Sequence, residues 1–133
     1  MANSFNEIPA VMPTVSHSVH GSRILTFMQT FHLPQVIADR QQQDRSYLEF
    51  LRVPSMSAGI YFLPAGGTDP QRPHTQDEVY YTIKGRGSIR VGSQDRAVKA
   101  GDFILVEARE EHRFHSITED LTLLVFFAPA ESS

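Results

Sequence analysis

Three side chains in this 133-residue chain have the types and spacing to hold a metal: His74, Glu78 and His112. A neutral imidazole and a carboxylate suit borderline divalent ions, so zinc, iron, manganese or nickel would accept this set. Two histidines and one carboxylate leave coordination positions open for water or substrate, as a catalytic site needs and a closed structural site lacks. Imidazole must be neutral to ligate, so affinity should fall as pH drops below about 6.5.

Side chains on a strand alternate faces with period two. Glu78, Tyr80 and Thr82 then share one face, and His112, Phe114 and Ser116 share a face of a later strand. His74, four residues before Glu78, can join the same face if the chain stays extended. Taken singly, each histidine reads as a surface or hydrogen-bonded residue and Glu78 as a solvated carboxylate. Only their joint spacing points to a metal. Tyr80 and Phe114 are the expected pocket walls, and the Tyr80 hydroxyl is a candidate acid or hydrogen-bond donor. Gln76 is a fourth ligand, a substrate contact or a plain loop amide. Arg72 cannot ligate, because guanidinium stays protonated and offers no lone pair. It either grips a carboxylate or phosphate substrate or points outward into solvent, with outward favoured by Pro73. His115 has the opposite parity to His112 and should face out. His17, His20 and His32 lack a supporting set and are read as non-ligands.

The elements that must position these residues are short strands. Tyr47 to Val53, Ala58 to Leu63, Glu78 to Ile83, Ser88 to Val91, Arg96 to Lys99, Phe103 to Val106, His112 to Ile117 and Leu121 to Phe127 have strand composition. Pro64-Ala65-Gly66-Gly67, Gly85-Arg86-Gly87, Gly92 to Asp95 and Gly101-Asp102 separate them as turns. Evenly spaced short strands with glycine-rich turns argue an antiparallel sandwich or barrel. Ahead of them, residues 1–22 read as an arm, Ile24 to Phe31 as a possible first strand, and Pro34 to Asp44 as one short helix with proline at its start. The expected division is 1–45, an arm with a helix packed on the barrel, and 46–133, the barrel.

Composition narrows the chemistry. The chain has no cysteine, which excludes disulfides, thiolate metal sites and thiol nucleophiles. Its formal net charge is -3 with no basic run, so nucleic acid is not an expected partner. No apolar run approaches the ~20 residues that span a bilayer, and residues 1–15 do not read as a signal peptide. A cytoplasmic protein without a membrane partner is expected. No nucleophile elbow or phosphate-binding loop is present.

The glycine, histidine and glutamate spacing resembles the cupin family. That family's first motif runs Gly, five residues, His, one residue, His, three or four residues, Glu, six residues, Gly. Here Gly66, Arg72, His74, Glu78 and Gly85 stand at those positions. The second motif runs Gly, five residues, Pro, one residue, Gly, two residues, His, three residues, Asn, and is matched by Gly101, Glu107, Arg109, His112 and Ser116. Arg72 thus replaces the first histidine, and Glu107, Arg109 and Ser116 replace turn and structural residues. The resemblance covers roughly Tyr47 to Pro129. It implies an all-β double-stranded β-helix, a jelly-roll barrel, with a pocket holding one divalent metal ion at His74, Glu78 and His112. It leaves the reaction open. Two readings follow: a metal-dependent enzyme of oxygenase, isomerase or lyase type on a small polar molecule, or a non-catalytic small-molecule binding module, with or without metal. Apolar residues on both faces of two strands (Val79, Tyr81 and Ile83 against Tyr80; Leu123, Val125 and Phe127 against Leu124 and Phe126) ask for a cover, which the N-terminal arm or a second subunit would supply, with a homodimer the natural form.

Overall fold

The computed structural model describes residues 27–132 of the chain. Two units are distinguished, with the boundary between Asp44 and Arg45. In the first, helix α1 spans Leu33–Gln41. Pro34 lies in its first turn, where the missing N–H costs nothing, and the His32 carbonyl accepts from the Gln35 and Val36 amides. The expected strand at Ile24 to Phe31 does not form over its described part. Residues 27–32 have no regular structure, and Phe27 and Met28 are exposed rather than paired in a sheet. The arm, with His17 and His20, lies outside the described residues.

The second unit holds six strands: β1 (Tyr47–Val53), β2 (Met56–Leu63), β3 (Asp77–Val91), β4 (Gln94–Lys99), β5 (Phe103–Val106) and β6 (His112–Ala128). All pairings are antiparallel, in the order β1-β2-β6-β3-β4, with β5 on β3. Register shows how one ladder makes two layers. The first half of β3 lies between the end of β6 (Glu78 opposite Phe127) and β5 (Glu78 opposite Val106). Its second half lies between the start of β6 (Val91 opposite His112) and β4. Both long strands therefore pass from one layer to the other, as a jelly-roll barrel requires.

One turn expected from the sequence is a bend inside a strand, and a second bend falls where strand was expected. Gly85-Arg86-Gly87 does not end a strand, because the pairing with β6 continues through three register shifts between Thr82 and Ser88. Gly85 has φ 104° and lies against the backbone of Asp120, so it needs both a left-handed conformation and no Cβ. Ser116, at φ 50°, makes the matching bend in β6. This left-handed residue resets the alternation: His112 and Phe114 are buried, Ser116 is exposed, and Ile117 takes the next inward place. Ser116 does not share the inner face with His112 and Phe114, contrary to the simple parity expectation.

The interior is a single apolar cluster that includes Tyr61, Tyr80, Phe114, Leu123, Val125 and Phe127. Tyr80 and Phe114 meet edge to face at 4.9 Å between ring centroids, a contact worth about 0.5–1.5 kcal/mol beyond burial. Tyr47 packs its ring over Gly59, where a side chain would collide with it.

Candidate metal centre

Strand β3 turns Glu78, Tyr80 and Thr82 inward, all at most 1% exposed. Strand β6 brings His112 in from the facing segment. His74 comes from the loop before β3, and its carbonyl accepts the Arg109 amide at 2.6 Å. The residue types expected to converge do so: one ligand atom each from His74, Glu78 and His112 lie within 4.8 Å of one another.

His112 Nε2 and Glu78 Oε1 are 3.2 Å apart, with side chains 1% and 2% exposed. The His112 Nδ1–H donates to the Glu110 carbonyl at 3.0 Å, which leaves Nε2 facing the interior as a lone pair when the ring is neutral. Both Glu78 oxygens are buried without a hydrogen-bond donor. A lone pair and a carboxylate so close repel unless a proton or a cation lies between them. Burial pulls the His112 pKa down. Its contacts with Glu78 and the Glu110 carbonyl, and the charges of Glu78 and Asp69, outweigh that and raise it overall. Two ligands about 2.1 Å from one ion and at right angles stand about 3 Å apart, so this spacing suits a shared cation.

The surrounding residues fix the approach. Tyr80 Oη lies 3.1 Å from His112 Nε2 and accepts the Gln71 amide N–H at 2.9 Å. Burial first, then the charge and contact of Glu78, raise the Tyr80 pKa well above the ordinary phenol value, against a smaller lowering by Gln71. The hydroxyl therefore keeps its proton. Gln71 Oε1 approaches His74 Nε2 at 3.4 Å. On its other side, His74 Nδ1 lies 3.6 Å from Glu131 Oε2, and its ring packs edge to face on Phe127 at 4.8 Å. Glu131 reaches the site because its amide donates to Ser57 Oγ and its carbonyl accepts from Arg52.

Asp69 anchors this loop. It is 2% exposed, and its carboxylate accepts from Tyr61 Oη at 2.7 Å, the Phe114 amide at 2.9 Å, and the amide and side chain of Gln71. Four donors around one buried charge make it a structural pivot. Sequence reasoning missed Asp69, Gln71, Glu131 and Tyr47. Only Asp69-Pro70 carried a signal, as a turn-initiating pair.

The remaining expectations divide. Phe114 is a buried wall, and His115 points outward to Asp95. Arg72 is exposed and lines a groove that His112 also borders. Gln76 is buried; its amide donates to Ser132 Oγ at 2.9 Å and its carbonyl oxygen has no partner. Among the described residues, no helix is long and apolar enough to cross a membrane.

The family model for the cupin domain matches residues 59–127. A Streptomyces coelicolor protein named "Uncharacterized protein SCO3923" is 48% identical over 105 residues, covering 79% of this chain and all of that one. Among solved structures, KdgF from Halomonas sp. superposes with a TM-score of 0.58 at 17% identity, covering 62% of this chain and 76% of that one. The DMSP lyase DddQ from Ruegeria pomeroyi has a TM-score of 0.54 at 22% identity over 57% of this chain. This chain spans only 39% of the lyase. TT1209 from Thermus thermophilus matches with a TM-score of 0.56 at 23% identity, covering 68% of this chain and 93% of its own. At these identities the structures share the fold, whereas the domain match covers just over half of the sequence. The two motifs, the barrel they build and the matched domain lead to one conclusion: this chain belongs to the cupin family.

Proposed function

We propose that His74, Glu78 and His112 hold one divalent cation and that the protein is a metal-dependent enzyme acting on a small polar molecule. The observation that carries this reading is the Glu78 carboxylate, buried with no donor to either oxygen and 3.2 Å from an imidazole nitrogen. A buried charge in that condition costs several kcal/mol unless a proton on His112 or a cation compensates it, and a cation does so with the imidazole neutral. The bound ion would supply Lewis-acid polarisation of a substrate oxygen.

The chain's own residues then divide the work. Tyr80 holds a proton at its hydroxyl beside His112, available to a substrate oxygen. Gln71 orients that hydroxyl and steadies His74, and Asp69 keeps Gln71 in place. Phe114 and Phe127 exclude water from one side. The unpartnered polar atoms of Tyr47, Gln76 and Thr82 give the interior further places to hold a polar ligand. A lyase among the fold neighbours is consistent with oxygenase, isomerase or lyase chemistry without choosing among them.

A second reading, a binding cupin without turnover or metal, draws on Arg72. That residue leaves the site with three protein ligands where the family's first motif would add a histidine. Metal analysis of protein purified without a histidine tag separates the two. One equivalent of a transition metal supports the first reading; metal-free protein that takes up none on titration overturns it.

The homodimer and the cytoplasmic setting belong to the same reading. Phe103, Leu105 and Tyr81 are 69%, 57% and 38% exposed on adjoining strands, an apolar area that a second copy would cover. A monomeric mass by light scattering at micromolar concentration would count against the dimer.

A further inference from the structure

A groove of about 540 Å³ borders the candidate centre, within the size range of small-molecule sites. Its walls include Arg72, Arg90, Arg113, His115, Glu111 and Gln71. Three guanidinium groups in one groove stand out in a chain whose formal net charge is -3. Two are direct cross-strand partners, Arg90 on β3 opposite Arg113 on β6. Like charges placed opposite each other destabilise a sheet.

The acids nearby do not resolve this. Asp95 accepts from Arg90 Nη2 at 2.9 Å and is also 2.7 Å from His115 Nε2, so its two oxygens are committed. Glu111 borders the groove but makes no ion pair among the described residues. Arg113 and Arg72 have no acidic partner among the described residues. Arg72 reaches the groove from the loop that Asp69 anchors, and Arg113 from the strand that carries His112. Gln71 is the common wall: it lines the groove and also touches the Tyr80 hydroxyl.

We infer that this groove binds a small organic oxyanion, with Arg72 and Arg113 as its two grips. Guanidinium is suited to the task because its planar donors meet a carboxylate or phosphate two at a time. An occupant would neutralise the facing Arg90 and Arg113 charges and recover what their apposition costs. It would lie next to His112 and Gln71, so the substrate class of the proposed enzyme is anionic; that last step rests on the metal-centre reading. The groove itself does not.

The test uses inorganic phosphate and succinate as probes, with choline as the cationic control, titrated calorimetrically into tag-free full-length protein. Each titration is run with and without prior metal removal by chelation. Saturable binding of at least one oxyanion and none of choline is expected, weakening as salt is raised. Which probe binds more tightly separates a phosphate ester from a carboxylate ligand. Arg113→Gln and Arg72→Gln should each weaken binding about tenfold, as loss of a charge-assisted contact does, and the double variant should abolish it. Both arginines are exposed, so the variants should fold and keep the metal content of the parent. No saturable binding of either oxyanion, or binding unchanged in the double variant, overturns the proposal. Arginine-dependent binding in a protein that never takes up metal would uphold the groove and remove only its link to a metal enzyme.

Discussion

Strand β6 carries two histidine–carboxylate pairs three residues apart, one on each face. On the inner face His112 meets Glu78 at 3.2 Å, with side chains 1% and 2% exposed. On the outer face His115 meets Asp95 at 2.7 Å, with side chains 36% and 40% exposed. By distance alone the outer pair is the better interaction. Water reverses the ranking. The outer pair is screened by solvent and shares its acid with Arg90, so it contributes little. The inner pair is desolvated and short of donors, so it must be completed by a proton or a cation. Burial and unmet bonding capacity mark a site better than short contacts do.

The strongest way to break this comparison is to remove each histidine. His112→Ala should lose most of the bound metal, since two remaining ligands hold a borderline ion poorly. His115→Ala should keep it. Both are read by metal analysis after gel filtration, and the reverse pattern would place the site on the wrong face. Next in size is Glu78→Gln, measured without metal. The amide removes a buried charge and can donate to His112 Nε2. The metal-free variant should gain about 1–2 kcal/mol over the metal-free parent in urea unfolding, while metal no longer stabilises it. A metal-free variant weaker than its parent would mean that Glu78 is already satisfied without an ion.

The inner cluster was legible because it rests on local rules. Strand alternation puts Glu78 and Tyr80 on one face, and the motif spacing adds His74 and His112. The same rules kept His115 out. Alternation failed at Ser116, where one left-handed residue shifts the count, and at Gly85, where a glycine serves a bend instead of a turn. Asp69, Gln71 and Glu131 were not legible because loops and a returning terminal segment deliver them, and those paths follow from tertiary contacts. Tyr47 belongs to a strand that was read correctly, but nothing in its own sequence says that its ring should lie over Gly59.

A smaller effect is expected at Arg109, which stands where the family motif has glycine and adopts φ 67°. A residue with a Cβ is strained there, while the Arg109 amide must still reach the His74 carbonyl. Arg109→Gly relieves the strain and keeps the bond, against some gain in unfolded-chain entropy. A net stabilisation of about 0.5–1 kcal/mol is expected, read as a higher urea midpoint with unchanged metal content. A loss of stability would mean that the arginine side chain holds the turn.

The smallest effect belongs to the outer pair, and it tests the comparison from the other side. Asp95→Asn removes the acid from both His115 and Arg90. The His115 contact, against an opposing effect of burial and aided by the charge of Arg90, holds the Asp95 pKa below its ordinary value. A depressed carboxylate pKa contributes stability above the ordinary carboxylate range and loses it as pH falls through the folded-state value. Asp95 is exposed, however, and fixing two flexible partners costs entropy that offsets the attraction. The variant should therefore unfold with the parent's urea midpoint at pH 7, at low and at high salt. What should change is the groove. With Asp95 neutral, Arg90 is released beside Arg113 and the groove becomes more positive, so phosphate or succinate should bind more tightly than to the parent. A marked drop in stability on this one substitution would show that the short exposed pair does structural work, and solvent exposure would no longer separate the two faces of β6.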